Sequence, residues 1–335
     1  MKNFNKILII RFSSIGDIVL ATSPLKTIRK LYPNAMIHFL TLEKFSPLLE
    51  LQPSIDKVIK LDSKSKWKNL LTLNKDIISA KYDIIYDLHG SIRSYLVTMG
   101  LSKIVSRVRK PRLLRFILFQ FHINLFPKEF SAIYMYHKCI RELNESEFPE
   151  TFLTVSSEEL KSAKEMLIQY GIRDRFVVAI PGAAWGRKVW SFSKYCDVID
   201  KIKAKTDLDI VLLGTDQDKI NNQISEKNKS VINLSGKTNL RQAMAILSLS
   251  ESVFGSDTGL LHIAEALGKS ANMILGPTSK ETGGGVSLKI SNNIGTDIWC
   301  RPCSQNGKNL CYRSKQYCMD LISPSTVSNA VIKSS

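Results

Sequence analysis

Short apolar runs alternate with longer amphipathic segments along this chain, and the alternation is repeated on either side of a junction at residues 149–156. Such runs read as βα units, because a parallel sheet needs helices to cover both of its faces. The expected strands of the first half are 6–11, 35–41, 57–61, 83–88 and 102–108, with a helix over 18–31 that ends at Tyr32-Pro33-Asn34. Those of the second are 176–180, 209–213, 231–234, 252–254 and 271–275. Ser156 with Glu159 forms a capping-box pattern, which starts a helix running to about Tyr170. A length of 335 residues suits two domains better than one core. The fold class is α/β, with a first domain over 1–155 and a second over 156–322. Neither half carries G-x-G-x-x-G, which argues against a dinucleotide-binding dehydrogenase.

The sharpest local signal is Phe254-Gly255-Ser256-Asp257-Thr258-Gly259-Leu260-Leu261-His262-Ile263-Ala264. An apolar run stops, small and hydroxylated residues follow, and a helical pattern begins. The free amides of Thr258, Gly259 and Leu260 would lie at the positive end of the helix dipole, a receptor for an anion. Asp257 would end the strand, where ligands of α/β sheets bind, and His262 falls on the first helical turn. The turn suits a phosphorylated, sugar-bearing molecule.

Lysine and arginine number 47 against 30 acidic residues, a net charge of +17. Such an excess draws a protein toward nucleic acid, an anionic membrane face or a phosphorylated substrate. No span reaches the roughly 18 apolar residues of a membrane helix. Residues 1–6 lead into a strand rather than a signal-peptide core, so a cytoplasmic protein with reduced cysteines is expected.

Other turns carry chemistry, each with a plainer alternative. Ser13-Ser14-Ile15-Gly16-Asp17 sets a carboxylate beside a glycine at the first strand's tip. Asp17 there can take a proton from an attacking hydroxyl, or can simply favour the positive end of its helix. In Pro181-Gly182-Ala183-Ala184-Trp185-Gly186-Arg187-Lys188, small residues leave room and two cations stand ready to offset diphosphate charge; a solvated surface loop is the alternative. Gly214-Thr215-Asp216-Gln217-Asp218 offers carboxylates to ribose hydroxyls or to a helix start.

Between Lys103 and Lys128 lie Arg107, Arg109, Lys110, Arg112 and Arg115 with no acidic residue, followed by a series of aromatic and aliphatic residues. This reads as an amphipathic segment on anionic lipid, or as a core helix with a basic outer face. Cys300, Cys303, Cys311 and Cys318 begin as C-x2-C, but the later pair is spaced by six residues. A structural zinc site, disulfides or free thiols stay open. Cys139 and Cys196 read as packing residues. His38, His122 and His137 read as structural, and His89 follows a strand end.

Taken in order, 9–17, 87–90, Pro181-Gly182-Ala183 with Lys188 and Trp190, 256–264 and Gly276-Pro277-Thr278-Ser279 resemble the lipopolysaccharide heptosyltransferases over nearly the whole length. The resemblance implies a GT-B architecture of two Rossmann-like domains, with the C-terminal helix (325–332, in a tail over 323–335) packing back on the first domain. It implies inverting, metal-independent transfer from ADP-heptose with no required cofactor. Asp17 would be the general base and Lys188 would hold the diphosphate. Ser14, Gly16, Gly182, Ala183, Asp218, Leu240, Asp257, Thr258, Gly259 and His262 would bind the donor, with Asp218 at the ribose and Leu240 at the adenine. The acceptor would be a Kdo- or heptose-bearing lipid A core met by Arg93, Arg109 and Arg112 at the cytoplasmic face of an anionic inner membrane. A monomer without a specific nucleic-acid partner is expected. A basic nucleic-acid-binding protein and a GT-B sugar-nucleotide epimerase are the rival readings.

Overall fold

The computed structural model describes residues 4–140, 147–172 and 174–335; the reading of the extreme N-terminus at residues 1–3 lies outside them. The chain forms two compact units, 1–111 with 129–154, and 112–128 with 155–335.

The first unit holds β1 (Lys6–Ile10), α1 (Ile15–Leu20), α2 (Thr22–Leu31), β2 (Met36–Leu42), β3 (Lys57–Leu61), α3 (Trp67–Ser79), β4 (Ile84–Asp87), α4 (Ile92–Val97) and β5 (Val105–Arg107). After α5 (Arg112–Phe121), which clusters with the second unit, α6 (Ala132–His137) completes it. Its strands are parallel in the order β3-β2-β1-β4-β5. Leu8, Ile10, Leu40 and Ile85 are fully buried in its core, as expected of strands covered on both faces.

The second unit holds α7 (Ser157–Gln169), β6 (Phe176–Ile180), α8 (Phe192–Lys203), β7 (Asp209–Leu212), α9 (Lys219–Lys227), β8 (Ile232–Asn233), α10 (Leu240–Leu249) and β9 (Ser252–Ser256). It continues through α11 (Gly259–Ala266), β10 (Ser270–Leu275), β11 (Asn292–Gly295), α12 (Tyr317–Asp320) and α13 (Pro324–Lys333). Its parallel order is β11-β10-β9-β6-β7-β8. The Ser156 capping box forms as read, and Arg241 pairs with Glu159 to tie α10 to α7.

Three readings need revision. The helix expected over 18–31 starts at Ile15 and breaks at Ala21, because Pro24 has no N–H to continue α1 and instead sits in the first turn of α2. The edge strand β11 was not anticipated, since Asn292-Asn293-Ile294-Gly295 carries no apolar run. Residues 112–128 interrupt the first domain as drawn. Within the second unit, Val327 and Val331 of the last helix are buried with Ile199 and Ile202 of α8.

Each sheet has one point where neighbouring crossovers leave in opposite directions, the place where α/β sheets bind ligands. In the first it lies between β1 and β4, in the second between β6 and β9. Gly255 makes the second junction tight, since a Cβ there would stand 2.2 Å from the Ile180 carbonyl oxygen.

Candidate active-site residues

At the first junction the β1 turn and the β4 turn are joined by Arg11, a buried guanidinium that closes β1. It donates to Ser13 O (2.7 Å) and Leu88 O (2.6 Å) and pairs with Asp17 Oδ2 at 2.7 Å. Ser14, the N-cap of α1, donates to that same oxygen through Oγ (2.9 Å) and N (3.2 Å). Asp17 Oδ1 accepts one bond among the described residues, from Tyr136 Oη at 2.9 Å. Burial pushes the Asp17 carboxyl up, but the Arg11 charge and the Ser14 and Tyr136 donors outweigh it and hold the pKa down to about 2. Asp17 is therefore an ionised, fixed carboxylate with acceptor capacity left on Oδ1.

The β4 turn is organised by Asp87, fully buried, which accepts from His89 N (3.0 Å), Gly90 N (2.9 Å) and Arg107 Nε (2.5 Å). His89 packs edge-on against Phe12. Burial, with the Arg11 and Lys110 charges, lowers its pKa to about 4. Arg93 lies over the Phe12 ring at 6.0 Å.

At the second junction Lys188 Nζ lies 2.8 Å from Asp257 Oδ2, and Thr278 Oγ1 donates to that oxygen at 2.8 Å. Asp257 follows the last residue of β9, and Thr258 is the N-cap of α11 with no side-chain cap bond. The amides that open α11 thus have no side-chain acceptor from their own cap. One turn in, His262 is 7% exposed and its Nδ1 has no partner among the described residues. The loop after β6 is held by Ser256 Oγ donating to Pro181 O (2.7 Å). Asp218, the N-cap of α9, accepts from Thr215 N (2.7 Å) and Thr215 Oγ1 (2.9 Å). It lies so close to Gly182 that a Cβ there would fall 2.1 Å from its Oδ1. Leu240 opens α10 and is half-buried.

The structure thus gathers Ser14, Gly16 and Asp17 at one junction and Gly182, Ala183, Lys188, Asp257, Thr258, Gly259 and His262 at the other, with Asp218 beside Gly182. Ser14 spends its hydroxyl on Asp17 rather than leaving it free for a donor. The basic residues divide: Arg93 and Arg109 lie in the first unit, whereas Arg112 opens α5 in the second. Arg11 and Tyr136 escaped the sequence reading. Arg11 had a local signal, a cation closing an apolar strand; Tyr136 had none, lying 119 residues from its partner.

All six cysteines are free thiols. Cys139 and Cys196 are buried packing residues as read. Burial and the neighbouring Cys318, Cys311 and Cys300 push the Cys303 thiol up to about 11. Among the described residues no three His, Cys, Asp or Glu side chains converge on a point fit for a metal ion. The cysteine loop covers the β6 loop: Gln316 donates to Arg187 O at 2.5 Å, and a Cβ on Gly307 would stand 2.8 Å from Lys188 Cγ.

Residues 70–312 match the family model described as glycosyltransferase family 9 (heptosyltransferase). Lipooligosaccharide heptosyltransferase 2 of Haemophilus influenzae is 26% identical over 295 residues, 82% of this chain and 84% of that protein. A family 9 glycosyl transferase from Veillonella parvula superposes with a TM-score of 0.77 at 20% identity, over 99% of this chain and 97% of that one. The Escherichia coli ADP-heptose LPS heptosyltransferase II does so with a TM-score of 0.70 at 21% identity, over 98% of each chain.

Proposed function

The chain belongs to glycosyltransferase family 9, the heptosyltransferases, and from that membership we propose that it moves a heptose from ADP-heptose to the core sugars of a lipopolysaccharide acceptor. The observation that carries the donor half is the Lys188–Asp257 pair set against the uncapped N-terminus of α11. Amides at a helix start, a lysine and a buried, unpartnered histidine make an anion receptor suited to a diphosphate. Asp257 Oδ1, with no partner among the described residues, is placed to accept from a sugar hydroxyl. Asp218 takes the ribose and Leu240 the adenine.

In the reaction an acceptor hydroxyl oxygen attacks the anomeric carbon as the bond to the diphosphate oxygen breaks. ADP leaves with that electron pair, and the hydroxyl proton passes to Asp17 Oδ1. Attack opposite the leaving group inverts the anomeric centre. A carboxylate held near pKa 2 is a weak base, so proton transfer follows the rise in hydroxyl acidity that bonding to an electron-poor carbon brings. Lys188 and the α11 amides offset the charge that builds on the diphosphate.

The acceptor is a lipid, and the enzyme works as a monomer at the cytoplasmic face of the inner membrane. Support comes from α5 and its sequel, where Leu113, Phe116, Phe121, Ile123 and Leu125 are exposed beside Arg112 and Lys128. Trp299, also exposed, meets His122 edge-on at 5.7 Å and extends that patch within the second unit. Apolar side chains rimmed by cations suit an anionic lipid surface. No helix among the described residues is long and apolar enough to cross a membrane.

Thermal shift with nucleotides tests the donor. ADP and ADP-heptose are expected to raise the melting temperature and UDP or GDP sugars to leave it unchanged; a UDP-sugar preference would overturn the heptose reading.

A further inference from the structure

We propose that Arg301 is a positioning residue for the donor site: it holds the turn after β10 so that Thr278 keeps Asp257, and through it Lys188, in place. The segment Cys300-Arg301-Pro302-Cys303 stands out in the sequence for its thiols, but what reaches the site is its arginine and its backbone.

The turn is Gly276-Pro277-Thr278, and residues 301–304 grip all three of its carbonyls. Arg301 donates through Nε to Gly276 O at 2.7 Å and through Nη2 to Thr278 O at 3.1 Å. Those two nitrogens share one edge of the planar guanidinium, so they set the spacing of the carbonyls on either side of Pro277. The Pro277 carbonyl accepts from the amides of Cys303 (3.1 Å) and Ser304 (3.2 Å). Nη1 donates to Thr296 O at 3.2 Å, just past β11. Gly295 makes room for the group, since a Cβ there would stand 2.7 Å from Nη2. Among the described residues the hydrogen-bond partners of this guanidinium are backbone carbonyls and no carboxylate, so what it fixes is the path of the chain.

From the turn, the link to the chemistry is one side chain long. Thr278 Oγ1 donates to Asp257 Oδ2 at 2.8 Å, on the oxygen that Lys188 Nζ also meets at 2.8 Å. Thr278 is buried, and its hydroxyl stays aimed at Asp257 while its backbone is held. A turn released from the fork would carry the hydroxyl off Asp257, and a carboxylate with one donor fewer would no longer hold the lysine to one place. Groups that contact a ligand are only as exact as the residues that support them. This deepens the transferase reading, and its kinetic arm rests on that reading; the ADP-binding arm rests on the donor site alone.

The test compares the full chain with Arg301→Lys, which keeps the charge but not the fork, with Thr278→Val, which keeps the shape but not the hydroxyl, and with both together. Lys315→Met, the loss of an exposed charge in the same loop, is the control. By titration calorimetry below the melting temperature, ADP affinity is expected to fall about tenfold in each single variant. The double variant should lose no more than Thr278→Val, because the arginine acts through the threonine. In transfer assays the donor KM should rise in step while the acceptor KM stays fixed, and Lys315→Met should match wild type throughout. If Arg301→Lys does not fold, Gly295→Ala, whose methyl would displace the fork, is read in the same way. Unchanged ADP affinity in Arg301→Lys, or losses that multiply in the double variant, overturns the role and leaves the transferase reading standing if heptose is still moved. The expected binding pattern without transfer to any core acceptor keeps the role and sinks the transferase reading instead. A wild-type chain that does not bind ADP overturns both.

Discussion

Lys188 and Thr278 converge on one oxygen of Asp257, each at 2.8 Å, and the other oxygen of that carboxylate has no partner among the described residues. The lysine is thus pre-positioned by a group that can itself hold the sugar. Replacing Lys188 by Met should lower kcat by about 10²–10³, the scale for losing one charge-stabilising donor. Asp257→Asn, which keeps the lysine, should raise donor KM more than it lowers kcat. Because the pair acts together, the double variant should lose less than the product of the singles. Multiplicative losses in steady-state kinetics would show that the two work independently.

Asp17→Asn should cut kcat by about 10²–10⁴ while ADP still raises the melting temperature. Donors to the ionised form lower a carboxyl pKa, so Tyr136→Phe, which removes the donor to Oδ1, should move the acid limb of kcat toward higher pH. With the Asp17 pKa held down to about 2, that limb is expected near pH 2 in the wild type. A limb that stays in place in the variant would mean that Asp17 is not the group whose protonation stops turnover.

His89 makes stability depend on pH. Its folded pKa of about 4 lies below the unfolded value near 6.5, so in that window the unfolded chain binds the extra proton. The stabilisation is present above about pH 6.5 and is lost as pH falls toward 4. Urea melts at pH 7.5 and pH 5 should show a smaller drop for His89→Gln than for wild type. Identical drops would assign the pH dependence elsewhere.

Gly182 and Gly186 sit four residues apart in the β6 loop but have different surroundings. A methyl group on Gly182 would strike Asp218 at 2.1 Å, whereas one on Gly186 would meet nothing within 4 Å. Gly182→Ala should cost about 1–3 kcal/mol of stability and blunt the thermal shift given by ADP. Gly186→Ala should change neither. Equal shifts for the two variants would remove Asp218 from the nucleotide site.

The apolar face of α5 should be required for lipid binding. Leu113→Ser with Phe116→Ser should abolish co-sedimentation with vesicles containing anionic phosphatidylglycerol and leave activity on a water-soluble acceptor intact. Retention of vesicle binding would place the contact on another surface.

The sheets were legible because parallel strands such as Ile7–Ile10 and Val177–Ile180 are buried on both faces and leave continuous apolar runs. The strand-end turns were legible for a related reason, since glycine, small residues and a carboxylate must cluster where a run stops. What stayed hidden depends on tertiary neighbours. The Arg11 guanidinium reads as a mere strand end until Leu88 and Asp17 are beside it. Residues 112–128 read as part of the first domain until Arg115 is seen to donate to Thr282 O and His122 to meet Trp299. β11 is an edge strand whose ladder bonds, not its side chains, give it its place.

The cysteine loop rests on the loop that carries Lys188, through Gln316 and Gly307. A side chain at Gly307 would press on Lys188 at 2.8 Å, so the cover of this loop and the place of the cation beneath it are set together.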